Sequence, residues 1–181
     1  FTDNDGWADL IRSICVHGKD TSNPDDSNAK YNNIRLGKNS RLDTLQAAIL
    51  HPKFEAFIGY ELTNINKVAG WYTEGMKGTG LILPIVAEGY YSSWAQYTVQ
   101  LPEGVDLKTL HIKLRDLGIP SMVYYAKPMH LQGAFEGTDS AVAVCPVTEH
   151  LCATVLSLPI DPYKTKEEVD TVIIALKKAI G

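Results

Sequence analysis

The sequence predicts an α/β fold, and three patterns carry that expectation. Apolar residues recur at spacings of three and four in several segments, a strict alternation runs from Ala95 to Leu101, and glycine and proline punctuate the intervals. Helical and extended patterns follow one another without long Val/Ile runs, which reads as an α/β layer with antiparallel pairing.

Each element can be justified in order. Thr2 or Asp3 can cap a first helix through Trp7, Leu10, Ile11 and Ile14, and Gly18 suits its left-handed end. Residues 19–40 are rich in Asp, Asn, Ser and Lys and predict a long exposed loop, ordered in its second half by Tyr31, Ile34, Leu36 and Gly37. A helix starts near Asp43 with Leu45, Ala48 and Ile49, and Pro52 predicts a kink or break in it. From Phe54 to Tyr72 apolar residues repeat at helical spacing for about five turns, long enough for a spine between two lobes, and Gly75, Gly78 and Gly80 end it.

Beyond that helix, Ala95, Tyr97, Val99 and Leu101 share one face of a strand, with Gln96, Thr98 and Gln100 on the other. Leu107, Leu110, Leu114 and Leu117 mark a helix ending at Gly118. Pro120 to Tyr125 and Ala153 to Leu158 are further strands. Thr165 and Glu168 form a capping box that opens a last helix through Val169, Val172, Ile173, Leu176 and Ile180.

Composition narrows the function classes. Of 181 residues, 45% are apolar and 21% charged, which supports a self-sufficient core and excludes a wholly disordered chain. No stretch approaches the ~20 apolar residues a membrane helix needs. The net charge is −4 and the basic residues are scattered, so no basic face for nucleic acid is visible. Cys15, Cys145 and Cys152 show no CxxC spacing, which fits a reducing cytoplasm better than a disulfide framework. The chain has no initiator Met, and Phe1-Thr2-Asp3 does not read as a signal peptide; it begins as though cut from something longer.

Few segments carry chemistry. The five histidines lack HxxxH or HExxH spacing, so no metal site is expected, and Cys15 near His17 reads as a core cysteine rather than half of a catalytic dyad. Phosphate-binding glycine loops are missing. Asn39 and Arg41 stand in a loop before a helix N-terminus, a place that favours anions. The alternative is that Asn39 and Ser40 only cap the helix while Arg41 pairs with Asp43. A second cluster is MVYYAKPMH, residues 122–130, where the phenols of Tyr124 and Tyr125 with Lys127 suit a diphosphate or a sugar. The alternative there is an edge strand whose tyrosines point to opposite faces and are half-buried.

The segment LGKNSRLDTLQAAIL resembles the GxNxRLDxxQAAIL signature of the DegT/StrS family, pyridoxal-phosphate-dependent aminotransferases of nucleotide-linked sugars. FTDNDGWADLIRSICVHG looks like the helix after that family's cofactor-lysine loop. GIPSMVYYAKPMH is similar to its GIxTxxHYPxPxH segment, and LSLPIDPYKTKEEV to its LSLPMxPxLTxEEI ending. The resemblance implies the C-terminal part of an aspartate-aminotransferase-like (fold type I) enzyme. Residues 1–52 would end the large cofactor-binding lobe, 53–75 would be the linking spine helix, and 76–181 the small α/β lobe.

The resemblance also implies roles. Asn39 matches the asparagine that reaches across a homodimer to the neighbouring subunit's cofactor phosphate. Arg41 matches a position that contacts uronic acid sugars across the same interface. Tyr124 and Tyr125 match a His-Tyr pair lying against the nucleotide-sugar diphosphate; Tyr124 departs from the usual His and brings no charge that switches near neutral pH. Leu42, Leu45, Ile49, Phe54 and Phe57 would pack on the large lobe and a second subunit. The cofactor is pyridoxal 5′-phosphate, the partners a nucleotide sugar and an amino-acid donor, glutamate in most relatives. The family's Schiff-base lysine would lie upstream of Phe1, so no catalytic residue is assigned within the chain and the 181 residues alone should be inactive. A rival expectation is a non-catalytic nucleotide-sugar-binding or interaction module derived from that family.

Overall fold

A short antiparallel ladder organises the larger part of the molecule. In the computed structural model, which describes residues 2–22 and 32–181, β1 (Tyr97–Gln100) pairs with β2 (Val155–Leu158), setting Tyr97 opposite Leu158 and Val99 opposite Leu156. Phe1 and the middle of the predicted loop, residues 23–31 with Tyr31, lie outside the described residues. Alternate residues of a strand face opposite sides, so this register drives Tyr97, Val99, Leu156 and Leu158 together into the core, all four buried.

The chain divides into two compact units, Phe1–Glu55 and Ala56–Gly181. In the second, α3 (Leu62–Gly75), α4 (Leu107–Asp116) and α6 (Lys166–Ile180) supply most of the rest of the core, with Met76, Leu101 and Ile119 added from the connections. Val68, Ala69 and Tyr72 come from α3, Leu110 and Leu114 from α4, and Val169, Val172, Ile173, Leu176 and Ala179 from α6. These are the positions that helical spacing marks as apolar faces. Helix α6 packs on both α3 and α4. At Gly75 the two helices are close: a Cβ there would stand 2.4 Å from Ile173 Cδ1, the flexible end of an α6 side chain.

Polar groups inside this core are paired. The Tyr72 hydroxyl donates to Pro159 O at 2.8 Å. Thr73 Oγ1 spends its proton on Ala69 O at 3.0 Å, so the Tyr97 hydroxyl, 2.8 Å away, donates to Thr73. Burial pushes both phenols above their ordinary pKa. Glu61, buried on a π-turn (Phe57–Glu61), accepts a hydrogen bond from the Tyr163 hydroxyl, which raises the Tyr163 pKa.

Several sequence expectations need correction. Asn4, not Thr2 or Asp3, caps α1 (Asp5–Cys15), its side chain accepting from Trp7 N–H at 3.0 Å. Pro52 does not break α2 (Thr44–Ala56); the irregularity is the π-turn that follows, after which the chain re-enters helix as α3. The stretch 120–125 makes one bridge, Met122 with Ser157, instead of a strand. In that register Pro120 would face Pro159, and neither has an N–H to donate, so the ladder cannot lengthen that way. Leu42, Leu45, Ile49 and Phe54 are exposed as expected, whereas Phe57 is half-buried.

The capping box at Thr165 is present in both directions. Leu156→Ala should cost about 2–5 kcal/mol of stability because it empties the centre of the ladder face, and Thr165→Ala about 1 kcal/mol. Urea unfolding of the two variants measures the difference; equal costs would contradict a core organised on the strands.

Candidate functional site

In the first unit the sequence builds a loop by satisfying a helix end. The last carbonyls of α1 have no partner within the helix, and the segment before α2 supplies their donors. Lys38 N–H donates to Ile14 O at 2.8 Å, Ser40 N–H to Cys15 O at 3.0 Å, and His17 N–H returns a bond to Lys38 O at 3.0 Å. Only glycine fits at the crossing: a Cβ on Gly37 would lie 2.2 Å from Gly18 N. This stitching sets Asn39 opposite Val16 and fixes the residue that follows two places later.

That residue is Arg41, whose Nε donates to Asn39 Oδ1 at 3.0 Å. Arginine cannot accept a hydrogen bond, so the amide must present its oxygen to it. The Asn39 N–H₂ group and the terminal guanidinium nitrogens therefore keep their donors for an anion, and both side chains lie on the exposed surface. The cap of α2 is Asp43, which accepts from Gln46 N–H at 2.8 Å. Capping thus falls to Asp43 rather than to Asn39 or Ser40, and Arg41 bonds to Asn39 rather than to Asp43. The carboxylate also occupies the helix N-terminus, leaving the side-chain pair as the anion donors.

In the second unit the face of the ladder turned away from the core becomes a cavity wall. Thr98 and Val155 line a cavity of about 500 Å³ together with Tyr124, Tyr125 and Lys127. The Thr98 and Ser157 hydroxyls lie 2.7 Å apart across the strands. Adjacent tyrosines in a strand would point to opposite faces, but Tyr124 and Tyr125, which lie past the last bridge at Met122, both line this one cavity. Their rings meet edge to face at 5.7 Å. The segment after them is braced: Gln132 Nε2 donates to Lys127 O at 3.1 Å, and Leu131 N–H to Pro128 O at 3.1 Å. His130, largely buried, lies 3.2 Å from Glu149 and ties that segment to α5 (Pro146–Thr154).

The structure therefore brings Asn39 to Arg41, and Tyr124 to Tyr125 and Lys127, the two groups falling in separate units. Sequence reasoning missed Thr98 and Cys152 as cavity residues. The polar positions of the 95–101 alternation were the available signal for Thr98; nothing distinguished Cys152 from a packing residue. Among the described residues no group of three or more His, Cys, Asp or Glu side chains could hold a metal ion, and no helix is long and apolar enough to cross a membrane.

The two roles at the start of α2 can be separated by stability. Asp43→Ala should cost about 1 kcal/mol through loss of the cap, while Arg41→Ala should leave the thermal transition unchanged. Circular dichroism melting of both variants tests this, and a matching loss in Arg41→Ala would give that arginine a structural role.

Comparison with known proteins places this geometry in a lineage. A sequence model of the DegT/DnrJ/EryC1/StrS aminotransferase family matches residues 1–177. A Pseudomonas aeruginosa protein named UDP-2-acetamido-2-deoxy-3-oxo-D-glucuronate aminotransferase is 35% identical over 176 residues, covering 97% of this chain and 45% of its own length. An Aneurinibacillus thermoaerophilus dTDP-3-amino-3,6-dideoxy-alpha-D-galactopyranose transaminase is 31% identical over 152 residues, covering 84% of this chain and 40% of its own. The crystal structure of a DegT DnrJ EryC1 StrS aminotransferase from Brucella abortus superposes with a TM-score of 0.85 at 36% identity, over 100% of this chain and 45% of that one. The chain thus spans less than half the length of these relatives, and its fold is that of part of a fold type I aminotransferase. It belongs to the DegT/DnrJ/EryC1/StrS aminotransferase family.

Proposed function

We propose that these residues are the C-terminal part of a pyridoxal 5′-phosphate-dependent aminotransferase that moves an amino group, with glutamate as donor, onto the keto carbon of a nucleotide-linked sugar. The observation that carries this reading is the Asn39–Arg41 pair, held by the stitched loop with its anion donors outward. The amide N–H₂ can donate to a phosphate oxygen, and the guanidinium beside it can hold a second anion. The bound cofactor supplies the electron sink for amino transfer. Asn39 holds its phosphate across a homodimer interface, and exposed Leu42, Leu45, Ile49 and Phe54 supply apolar surface for that interface.

Arg41 binds a substrate carboxylate with its planar fork. The Pseudomonas relative is named for a 3-oxo-glucuronate, a sugar that bears such a carboxylate, which supports this assignment. Tyr124 and Tyr125 hydrogen-bond the diphosphate and orient the sugar. The enzyme works in the cytoplasm on a soluble substrate. The lysine that carries the cofactor is not among these 181 residues.

Two experiments test the reading. In the longer protein, Asn39→Ala should weaken cofactor retention for every substrate alike. Arg41→Ala should leave the cofactor's absorbance intact and raise KM for an acidic sugar about ten- to a hundredfold, corresponding to about 1.5–3 kcal/mol, and Arg41→Lys should rescue little. An unchanged KM in Arg41→Ala would contradict the substrate role. For the 181-residue chain mixed with pyridoxal phosphate, borohydride reduction and peptide mapping should label no single lysine; one specifically labelled lysine would overturn the missing-lysine assignment.

A further inference from the structure

The cavity beside Tyr124 and Tyr125 carries a charge, that of Lys127, to which the proposed roles of Asn39, Arg41 and the two phenols give no part. Among the described residues that line it, Lys127 is the only charged one; the others are hydroxyl, amide or apolar side chains. Glu149 lies on the neighbouring helix but is engaged by His130 at 3.2 Å. Among the described residues no carboxylate comes within ion-pair distance of the Lys127 ammonium, although the chain as a whole is acidic, with a net charge of −4. Its backbone is fixed by the Gln132 side chain, which donates to Lys127 O at 3.1 Å. A fixed backbone shortens the search an otherwise mobile side chain must make for a ligand.

We propose that Lys127 is a specificity-determining residue of this cavity and reads the negative charge of a nucleoside diphosphate. The inference rests on the nucleotide-sugar reading of the Tyr124–Tyr125 site. The walls divide the work. Met129, Leu151 and Val155 give apolar surface to the uncharged body of the ligand, the phenols give neutral donors, and Lys127 gives the one full positive charge. An ammonium acts as a point charge with rotatable donors, so it suits the spread charge of a diphosphate without demanding one bidentate geometry. Arg41 keeps the carboxylate.

Isothermal titration of the 181-residue chain with uridine 5′-diphosphate, uridine and glucuronate tests this, using Lys127→Met, Lys127→Arg and, as a control for overall charge, Lys177→Met. Lys127 is exposed, so its replacement leaves the core intact. The expected result is a ten- to hundredfold loss of diphosphate affinity in Lys127→Met, retention of most of it in Lys127→Arg, and no change for uridine in any variant. Diphosphate binding that Lys127→Met leaves unchanged overturns the role of Lys127 while the site reading stands. Loss of glucuronate affinity alone overturns the choice of anion. An equal loss in Lys177→Met reduces the effect to net charge and overturns the proposal. No diphosphate binding by the folded wild-type chain overturns the site reading and this inference together.

Discussion

The register of one antiparallel pair governs the larger unit. With Tyr97 opposite Leu158 and Val99 opposite Leu156, one face of the ladder is committed to the core and the other to the cavity. A slip of β2 by one residue would turn Leu156 and Leu158 away from the core and set Ser157 beside Tyr97 in their place. Burial of those side chains, at roughly 25 cal/mol per Å² of apolar surface, holds the register. The same choice makes Thr98 and Val155 wall residues of the cavity.

The smaller unit reaches an equivalent result with hydrogen bonds in place of apolar burial. Helix α1 needs donors for its last carbonyls, and the segment 38–40 needs acceptors; each supplies the other. The closeness this requires is met by Gly18 and Gly37, and the outcome is a rigid backbone at Asn39 on an otherwise exposed surface. Preorganisation of this kind matters for anion binding, since a donor already held in place loses less freedom when the ligand arrives. The apolar side chains of α2 are left uncovered, with no residue of that helix buried, which fits their proposed place at a protein–protein interface.

Much of this was legible in the sequence, and the failures have specific causes. The faces of α3, α4 and α6, the alternation at β1 and the capping box at Thr165 follow from periodicity and local chemistry, which fold into structure with little outside help. Boundaries failed where a partner decided them. On its Pro120 side the 120–125 strand could not extend because its register sets Pro120 against Pro159, two residues without an N–H to donate, a pairing that one segment cannot reveal by itself. The π-turn after Pro52 has no periodic signature. At the site, the signature around Asn39 and Arg41 was readable, but their mutual hydrogen bond and the capping by Asp43 were not, because the competing pairings are equally compatible with the spacing. Cys152 joined the cavity through tertiary placement that no local pattern encodes.

The central claim is that the polar face of the ladder and the segment after it wall a nucleotide-sugar site. Amide hydrogen exchange of the 181-residue chain, followed by mass spectrometry with and without a uridine diphosphate sugar, examines those walls directly. The account predicts slower exchange on binding across residues 122–132 and 148–155, with the core helix α6 unchanged. Binding that leaves both segments at their free rates, with protection elsewhere, would contradict it.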